Sequence, residues 1–180
     1  MKKTNKLIIS FRGLKLSKTY DVSKYMDDMT ESDRAFINNS TYKNLIIKTN
    51  KRRNFFLDID NKGFIFVNVR SGIFSISLFI KQEFRKGMTG FNACVALLFY
   101  MFNVLGMNKM ETSVYSHNKS SLKLQYSFLD LEGIVKQTIF DGKHYYDKFL
   151  FCMFKKDFLM KSGKLLKYFR MAGNKKTYVV

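Results

Sequence analysis

The sequence contains no proline, only two cysteines, and 14 acidic residues against 32 basic ones. Lysine, asparagine, isoleucine and phenylalanine are abundant, so we interpret the missing proline as a base-composition bias of the source and not as a structural signal. Cys94 and Cys152 both lie in apolar runs. This context predicts buried thiols, and argues against a disulfide or a catalytic pair.

Long apolar stretches are also missing. No run of eighteen residues is free of charged or strongly polar side chains, so a membrane-spanning helix is not expected. The basic N-terminus is followed by an apolar run at residues 7–10, which is too short for a signal peptide and is interrupted by Arg12. We therefore expect a cytoplasmic protein.

The shortage of acidic residues leaves a formal net charge of +18. The excess is concentrated at both ends, where residues 1–24 and 155–180 each contain a single acidic residue. Such a surface attracts polyanions, which include nucleotides, coenzyme A, nucleic acid and anionic membranes. The two histidines and two cysteines have no metal-ligand spacing, so no metal site is expected.

The length of 180 residues predicts one domain, which we assign to residues 1–160, with residues 161–180 as a basic C-terminal appendage. Strand patterns cover residues 8–16, 55–59, 64–69, 73–80, 109–115, 134–140 and 149–154, and turns are indicated at 60–63, 71–72 and 141–143. Two short helical patterns lie within residues 22–39, a long one covers 90–105, and a further short one covers 119–128. The order β-α-α-β-β-β-α-β-α-β-β predicts an α+β fold with a mixed, mostly antiparallel twisted central sheet flanked by helices.

The segment Arg85-Lys86-Gly87-Met88-Thr89-Gly90 joins the strand pattern at 73–80 to the long helical pattern. A basic, glycine-containing turn that opens a helix presents unpaired backbone N–H groups and the positive end of the helix dipole to an anion. This geometry suits a pyrophosphate. An ordinary strand-to-helix turn is the alternative interpretation.

Three segments between about residues 73 and 156 resemble the GNAT superfamily of acetyl-CoA-dependent N-acetyltransferases. The loop resembles the family pattern Gln/Arg-x-x-Gly-x-Gly/Ala, in which Arg85 and Gly90 match and Met88 replaces the middle glycine. Asn118 resembles the family's asparagine between a strand and a short helix. The segment 132–147, with its Glu-Gly, Asp-Gly and Tyr-Asp pairs, resembles the closing hairpin of the branch that contains ribosomal-protein and amino-sugar acetyltransferases.

The resemblance implies acetyl-CoA as co-substrate. The coenzyme-binding residues it implies are Leu78, Phe79, Ile80, Arg85, Lys86, Gly87, Met88, Thr89, Gly90, Phe91, Asn118 and Ser121. For Asn118 the alternative role is a helix cap.

The catalytic groups are less clearly indicated. The family's general acid is a tyrosine seven residues after the asparagine, and this position holds Gln125. Tyr126 follows it, turned by about 100° on a helix, and is the candidate acid. Relatives often place a basic carboxylate where this chain has Ser75. The remaining acid–base candidates are Glu83, His144 and Asp147.

A site without that carboxylate favours a weakly basic acceptor amine. A lysine amine with a pKa of about 10.4 is neutral in roughly one molecule per thousand at pH 7, and an α-amine with a pKa near 8 in roughly one in ten. The leading hypothesis is acetylation of a nucleotide-linked amino sugar for surface glycan synthesis. The alternatives are acetylation of a protein N-terminus, as in ribosomal proteins, and a non-catalytic basic binding module with the same fold. The sequence leaves a homodimer open.

Overall fold

The computed structural model describes residues 7–11, 13–19, 21–29, 54–161 and 177–179. Its strands are β1 (Ile8–Phe11), β2 (Leu14–Thr19), β3 (Asn54–Ile59), β4 (Gly63–Arg70), β5 (Ile73–Ile80), β6 (Lys109–Tyr115), β7 (Asp130–Phe140), β8 (Tyr145–Phe154) and β9 (Thr177–Val179). Its helices are α1 (Thr89–Phe99), which continues as a π-helical turn at Tyr100–Val104, α2 (Lys119–Phe128) and a helical segment at residues 155–161. Short 3₁₀ turns occur at Ser23–Tyr25 and Gln82–Phe84.

The described strands form one sheet in the order β7-β8-β6-β5-β4-β3-β2-β1-β9. Neighbouring strands in this sheet are antiparallel except β5 and β6, which are parallel. A parallel pair needs a crossover connection, and α1 lies in that connection. The predicted α+β class with a mixed, mostly antiparallel sheet flanked by helices is confirmed.

Two of the predicted turns have the backbone that their sequences favour. Asp60 and Asn61 have φ of 51° and 59°, and Ser71 and Gly72 have φ of 45° and 80°. Consecutive positive φ values define the type I′ turns that match the twist of a hairpin. The single strand predicted for residues 8–16 is wrong, because the chain reverses at Gly13, where φ is 71°. The alternation of side chains continues across this short turn and therefore did not reveal it.

Apolar side chains cover both faces of the sheet. On one face, α1 and its π-helical extension pack on β5 and its neighbours, and the buried cluster there includes Phe74, Ile80 and Val95. On the other face, Tyr25 packs against Phe64 and Phe79. The alternation of residues along β5 therefore sends successive side chains to different environments.

The helical patterns predicted within residues 22–39 are described only as far as residue 29, where the chain forms the 3₁₀ turn at Ser23–Tyr25; the rest lies outside the described residues. The turn is attached to β3 through Asp58, which accepts hydrogen bonds from Tyr25 Oη at 2.7 Å and from the Asn61 amide at 2.9 Å. Lys24 Nζ lies 2.5 Å from the same carboxylate. Burial alone would raise the pKa of Asp58, but these hydrogen bonds lower it overall.

The C-terminal segment adds a strand to the sheet. Thr177–Val179 pair with β1 in antiparallel register, so the boundary predicted at residue 160 does not separate this strand from the domain's sheet. In the part of the chain that the structure describes, we find no helix that has both the length and the apolar character needed to span a membrane.

Candidate active site

Strands β5 and β6 separate partway along their length. They pair through three positions, from Ile73↔Lys109 to Ser75↔Glu111. Beyond these, β5 stays paired with β4 up to Ile80 and β6 stays paired with β8 up to Tyr115. A cavity of about 530 Å³ lies where the strands diverge, and residues of α1 and α2 complete its lining.

The diverging part of β5 presents backbone groups to this gap. Lys81 N donates to Lys62 O at 3.0 Å, in register with the β4–β5 ladder. Because bonded and non-bonded pairs alternate in an antiparallel ladder, the N–H and C=O groups of Ile76, Leu78 and Ile80 point away from β4. Two contacts agree with this direction, since Thr112 Oγ1 donates to Ile76 O at 3.4 Å and Arg85 Nε donates to Ile80 O at 2.8 Å.

The same alternation separates the three strand residues predicted to bind the coenzyme. The backbone groups of Leu78 and Ile80 face the gap. Those of Phe79 face Phe64 of β4, and its buried side chain packs on the opposite face of the sheet. The gap-facing amides are thus spaced two residues apart, or about 6.6 Å, and can form hydrogen bonds with an extended ligand that lies along this edge of β5.

Helix α1 begins next to the end of β5 with its first amides uncapped. Met88 is the N-cap residue, makes no side-chain capping bond, and is followed by a first turn without acidic residues. The amides of Thr89, Gly90 and Phe91 belong to this first turn, where no intrahelical acceptor exists. The Met88 side chain is 58% exposed and is not among the residues that line the cavity. The helix N-terminus is therefore open to an anion.

The rest of the loop holds this N-terminus against the strand. Arg85 folds back onto β5, and its guanidinium also lies 5.7 Å from the centre of the Phe79 ring. The amide of Gly87 donates to Phe84 O at 3.4 Å, and Lys86 is exposed. A Cβ atom on Gly90 would lie 3.1 Å from Leu78 Cδ2. The absence of a side chain at residue 90 thus permits the close approach of α1 to β5.

Helix α2 starts at the other side of the cavity. Asn118 Oδ1 accepts a hydrogen bond from the Ser121 amide at 3.1 Å, so the alternative role of Asn118, a helix cap, is confirmed. Both residues also line the cavity. The cap uses only the side-chain oxygen, so the amide nitrogen of Asn118 keeps two hydrogens with which to bind a ligand.

The next turns of α2 direct Gln125, and not Tyr126, to the cavity. Gln125 lines the cavity, and its Oε1 atom is buried without a hydrogen-bond partner in the described part of the chain. Tyr126 is 52% exposed, and its ring packs edge-on against Phe151 at 5.0 Å. The helical rotation between consecutive residues accounts for this difference.

The other predicted acid–base residues also lie outside the cavity lining. Glu83 is exposed in the 3₁₀ turn before the loop, and His144 is exposed in the β7–β8 turn. Asp147 accepts from the Gln137 amide at 3.0 Å and from Lys136 Nζ at 2.9 Å, and these two contacts lower its pKa. In this structure Asp147 of β8 therefore connects the two strands of the β7–β8 hairpin.

His117 is a cavity residue that the sequence did not single out. It directly precedes Asn118 and lines the cavity, with its ring 4.8 Å from the ring of Tyr146. Burial is the main cause that lowers its pKa below the usual value of 6.5; the charge of Asp141 opposes this shift and the charge of Lys119 adds to it. Cys94 also lines the cavity, and burial raises the pKa of its thiol to about 12. At neutral pH the imidazole and the thiol are therefore both uncharged.

The unpartnered oxygen of Gln125 predicts opposite effects on stability and on ligand binding. Gln125→Leu removes a buried acceptor that lacks a partner, which should stabilise the ligand-free protein by about 1–2 kcal/mol. The same change should weaken binding of an amide-bearing ligand about tenfold. Urea unfolding and calorimetry measure the two effects. A variant that is both less stable and unchanged in binding would show that this side chain serves packing only.

Comparison with known proteins supports the fold. The sequence matches no protein-family profile and no curated protein. Solved structures are similar: a GCN5-related N-acetyltransferase from Brucella melitensis has a TM-score of 0.63 at 15% identity over 88% of this chain and 86% of that one. An acetyltransferase of the GNAT family from Bacillus anthracis has a TM-score of 0.61 at 16% identity, over 83% of this chain and 99% of that one. Spermidine N-acetyltransferase from Vibrio cholerae, in complex with CoA and spermine, has a TM-score of 0.57 at 14% identity, over 67% of this chain and 77% of that one. The chain thus has the GNAT fold.

Proposed function

We propose that this protein is an N-acetyltransferase that uses acetyl-CoA as donor. The observation that carries the proposal is the diverging pair β5 and β6, which opens a cavity beside an uncapped helix N-terminus. Structures with the same fold are named as acetyltransferases, and one of them is named as a complex with CoA. The fold alone does not define an activity, so the assignment depends on how well the residues of this site fit the coenzyme.

The residues present fit coenzyme A in three places. The first-turn amides of α1, at Thr89 to Phe91, suit its diphosphate. The gap-facing backbone of Ile76, Leu78 and Ile80 suits the amides of its extended arm. The buried Oε1 of Gln125 has no donor among the residues that the structure describes, and an amide N–H of that arm would supply one. When bound, acetyl-CoA provides a thioester as the activated acyl group.

Acyl transfer to an amine also requires a base for the amine and a polarised carbonyl. A backbone N–H of β5 that faces the gap can donate to the thioester oxygen, where negative charge develops in the transition state. His117 can accept the proton that the amine loses, because its lowered pKa keeps the imidazole neutral near pH 7, and the imidazolium can then return this proton to the leaving thiolate as the C–S bond breaks. Tyr126, Glu83, His144 and Asp147 lie outside the cavity lining, and we therefore assign the proton transfer to His117.

For the acceptor we propose an amino sugar, nucleotide-linked and used in surface glycan synthesis, with a protein N-terminus as the second candidate. Sugar amines are less basic than lysine because neighbouring oxygens withdraw electrons, so a larger fraction is neutral and reactive. Hydroxyl-bearing residues, Ser77, Ser113 and Tyr115, line the cavity and suit a hydroxylated acceptor. The exposed, basic surface of a protein with net charge +18 favours an acceptor that carries phosphate.

The first test is binding of the coenzyme and acetyl transfer by the full chain. We expect micromolar affinity for CoA by calorimetry, and release of free CoA thiol from acetyl-CoA when glucosamine or a nucleotide-linked amino sugar is added. A folded protein without affinity for CoA would contradict the proposed function. If RNA binds with a steep salt dependence while CoA does not bind, the non-catalytic binding module is favoured instead.

The proton-transfer role of His117 predicts the acidic limb of the pH–rate profile. The rate should fall as pH decreases through the pKa of His117, and because this pKa is lowered the midpoint should lie below pH 6.5. His117→Gln should lower kcat about a hundredfold and remove this limb, while CoA affinity stays within a few-fold. His144→Gln distinguishes the two histidines. If the limb disappears in that variant instead, the base is His144 and the assignment to His117 is wrong.

A further inference from the structure

The cavity extends through the gap to the face of the sheet opposite α1 and α2. Leu78 lies on the α1 face, since its side chain contacts Gly90 at the start of that helix. Val114 of β6 lies on the same face, since it packs with Leu122 of α2. Side chains alternate along a strand, so Ser77 of β5 and Ser113 of β6 project from the opposite face. Both serines are exposed, and both line the cavity.

Lys148 belongs to this opposite face. Its register partner across the β6–β8 ladder is Tyr115, which lies two residues after Ser113 and therefore on the same side of the sheet. Directly paired residues of neighbouring strands project from the same face. Lys148 is partly exposed and lines the cavity together with Tyr115. The opposite-face half of the cavity thus combines hydroxyl groups with one ammonium group.

The charge of Lys148 is not balanced by the carboxylates around it. Within the residues the structure describes, the cavity lining contains no Asp or Glu, and Lys148 forms no ion pair. The neighbouring Asp147 pairs with Lys136. Glu111, beside the point where the strands diverge, pairs with Arg70 and Lys109. An anionic ligand group would therefore meet an unneutralised cation, whereas a polyamine would meet like charge.

The two halves of the cavity suit different ligands. The α1 N-terminus and Gln125 lie on the helix side, so the coenzyme occupies that half if the proposed function is correct. The acceptor then reaches the thioester through the gap, from the half that contains Lys148. A lysine acts as a point charge towards phosphate and does not require a fixed fork geometry.

From this arrangement we infer that Lys148 is a specificity-determining residue and that the acceptor is an amino sugar bearing a phosphate group, which Lys148 binds. The inference rests on the proposed function and assigns the residue that recognises the phosphate of its acceptor. The phosphate can be a simple ester or part of a nucleoside diphosphate. Glucosamine 6-phosphate and UDP-glucosamine represent these two sources, and glucosamine and spermidine represent neutral and polycationic amines.

The experiment measures binding of these four amines to the full chain saturated with CoA, so that no turnover occurs, and then kcat/KM with acetyl-CoA. At least one of the two phosphate-bearing amines should bind at least tenfold more tightly than glucosamine, and spermidine should bind most weakly. Lys148→Glu should reduce the affinity for that phosphate-bearing amine about a hundredfold and leave glucosamine within threefold. Lys148→Gln should give an intermediate loss. The control Lys143→Glu makes the same change of charge in the exposed β7–β8 turn and should alter no affinity more than threefold.

The outcomes separate this inference from the proposed function. If CoA does not bind the folded chain, the proposed function fails, and the same four amines tested on the coenzyme-free chain still report the role of Lys148. If CoA binds but spermidine is preferred, or if Lys148→Glu weakens all four amines equally, the inference is overturned while the function stands. A loss of CoA affinity in Lys148→Glu also overturns it, because Lys148 would then belong to the coenzyme half of the cavity.

Discussion

Replacing Met88 by aspartate should weaken coenzyme binding more than a hundredfold while leaving the protein at least as stable. Met88 precedes the first turn of α1, where neither a side-chain cap nor an acidic residue is present. A carboxylate at this position interacts favourably with the helix dipole, which is worth about 0.3–1 kcal/mol. The same carboxylate repels a diphosphate and competes with it for the backbone amides of the first turn of α1. Loss of two charge-assisted hydrogen bonds, at about 1.5 kcal/mol each, weakens binding by more than a hundredfold.

The control for this experiment is Met88→Asn, which has nearly the same shape as the aspartate without the charge. Its CoA affinity should fall by much less than that of Met88→Asp, because an asparagine at the N-cap can compete for the same first-turn amides but adds no negative charge. Thermal unfolding and calorimetry at one fixed salt concentration compare the variants. If Met88→Asp binds CoA normally, the diphosphate does not lie at this helix end and the proposed mode of binding is wrong.

Replacing Gly63 by alanine should cost more stability than the same replacement at any other glycine that the structure describes. Gly63 opens β4 opposite Ile80, and an added Cβ would overlap the carbonyl oxygen of Phe79 and lie 2.9 Å from Ile80 Cα. Both obstacles are backbone atoms of β5, so they cannot rotate away. We expect a loss of about 3 kcal/mol or more in the free energy of unfolding, or about 6–12 °C in Tm.

Gly133→Ala is the matched control for that prediction. Gly133 also lies in a strand, β7, but a Cβ atom added there would have no atom beyond its immediate chain neighbours within 4 Å. The stability of this variant should change by less than about 1 kcal/mol. Equal effects of the two substitutions in urea unfolding would mean that β4 and β5 do not approach each other closely at Gly63. Because Ile80 ends β5 beside the loop, Gly63→Ala should also weaken CoA binding where it remains folded.

Local patterns in the sequence predicted many of the elements well. The bounds of β5, β6 and α2 were predicted to the residue, because each has a regular pattern and a clear stop signal. The rotation that separates Gln125 from Tyr126 also follows from helix geometry alone. The hairpin at residues 8–16 was missed because alternation is the same on both sides of a two-residue reversal. Predictions that fall on residues 30–53 lie outside the described part of the chain.

Which residues form the candidate site depends on pairing between strands that are far apart in the sequence. Asn118 and the loop at residues 85–90 were found from their local motifs, and both lie beside the divergence of β5 and β6. His117 lies in the turn after β6 and Lys148 lies within β8, and neither carries a local signal, since an isolated histidine or lysine at such a position is usually just solvated. Their importance comes from strand order, which places β6 between β5 and β8. The predicted Glu83, His144 and Asp147 have suitable chemistry but lie on surfaces that the cavity does not include.

By itself the sequence determined the α+β class, the mostly antiparallel sheet and the uncapped basic turn before α1, because these follow from periodicity and from interactions between residues close in the chain. The tertiary structure decided where β5 and β6 part, which side chains face the resulting cavity and which charges there remain unbalanced. These properties arise from pairing between segments far apart in the chain, and no local pattern of residues encodes them.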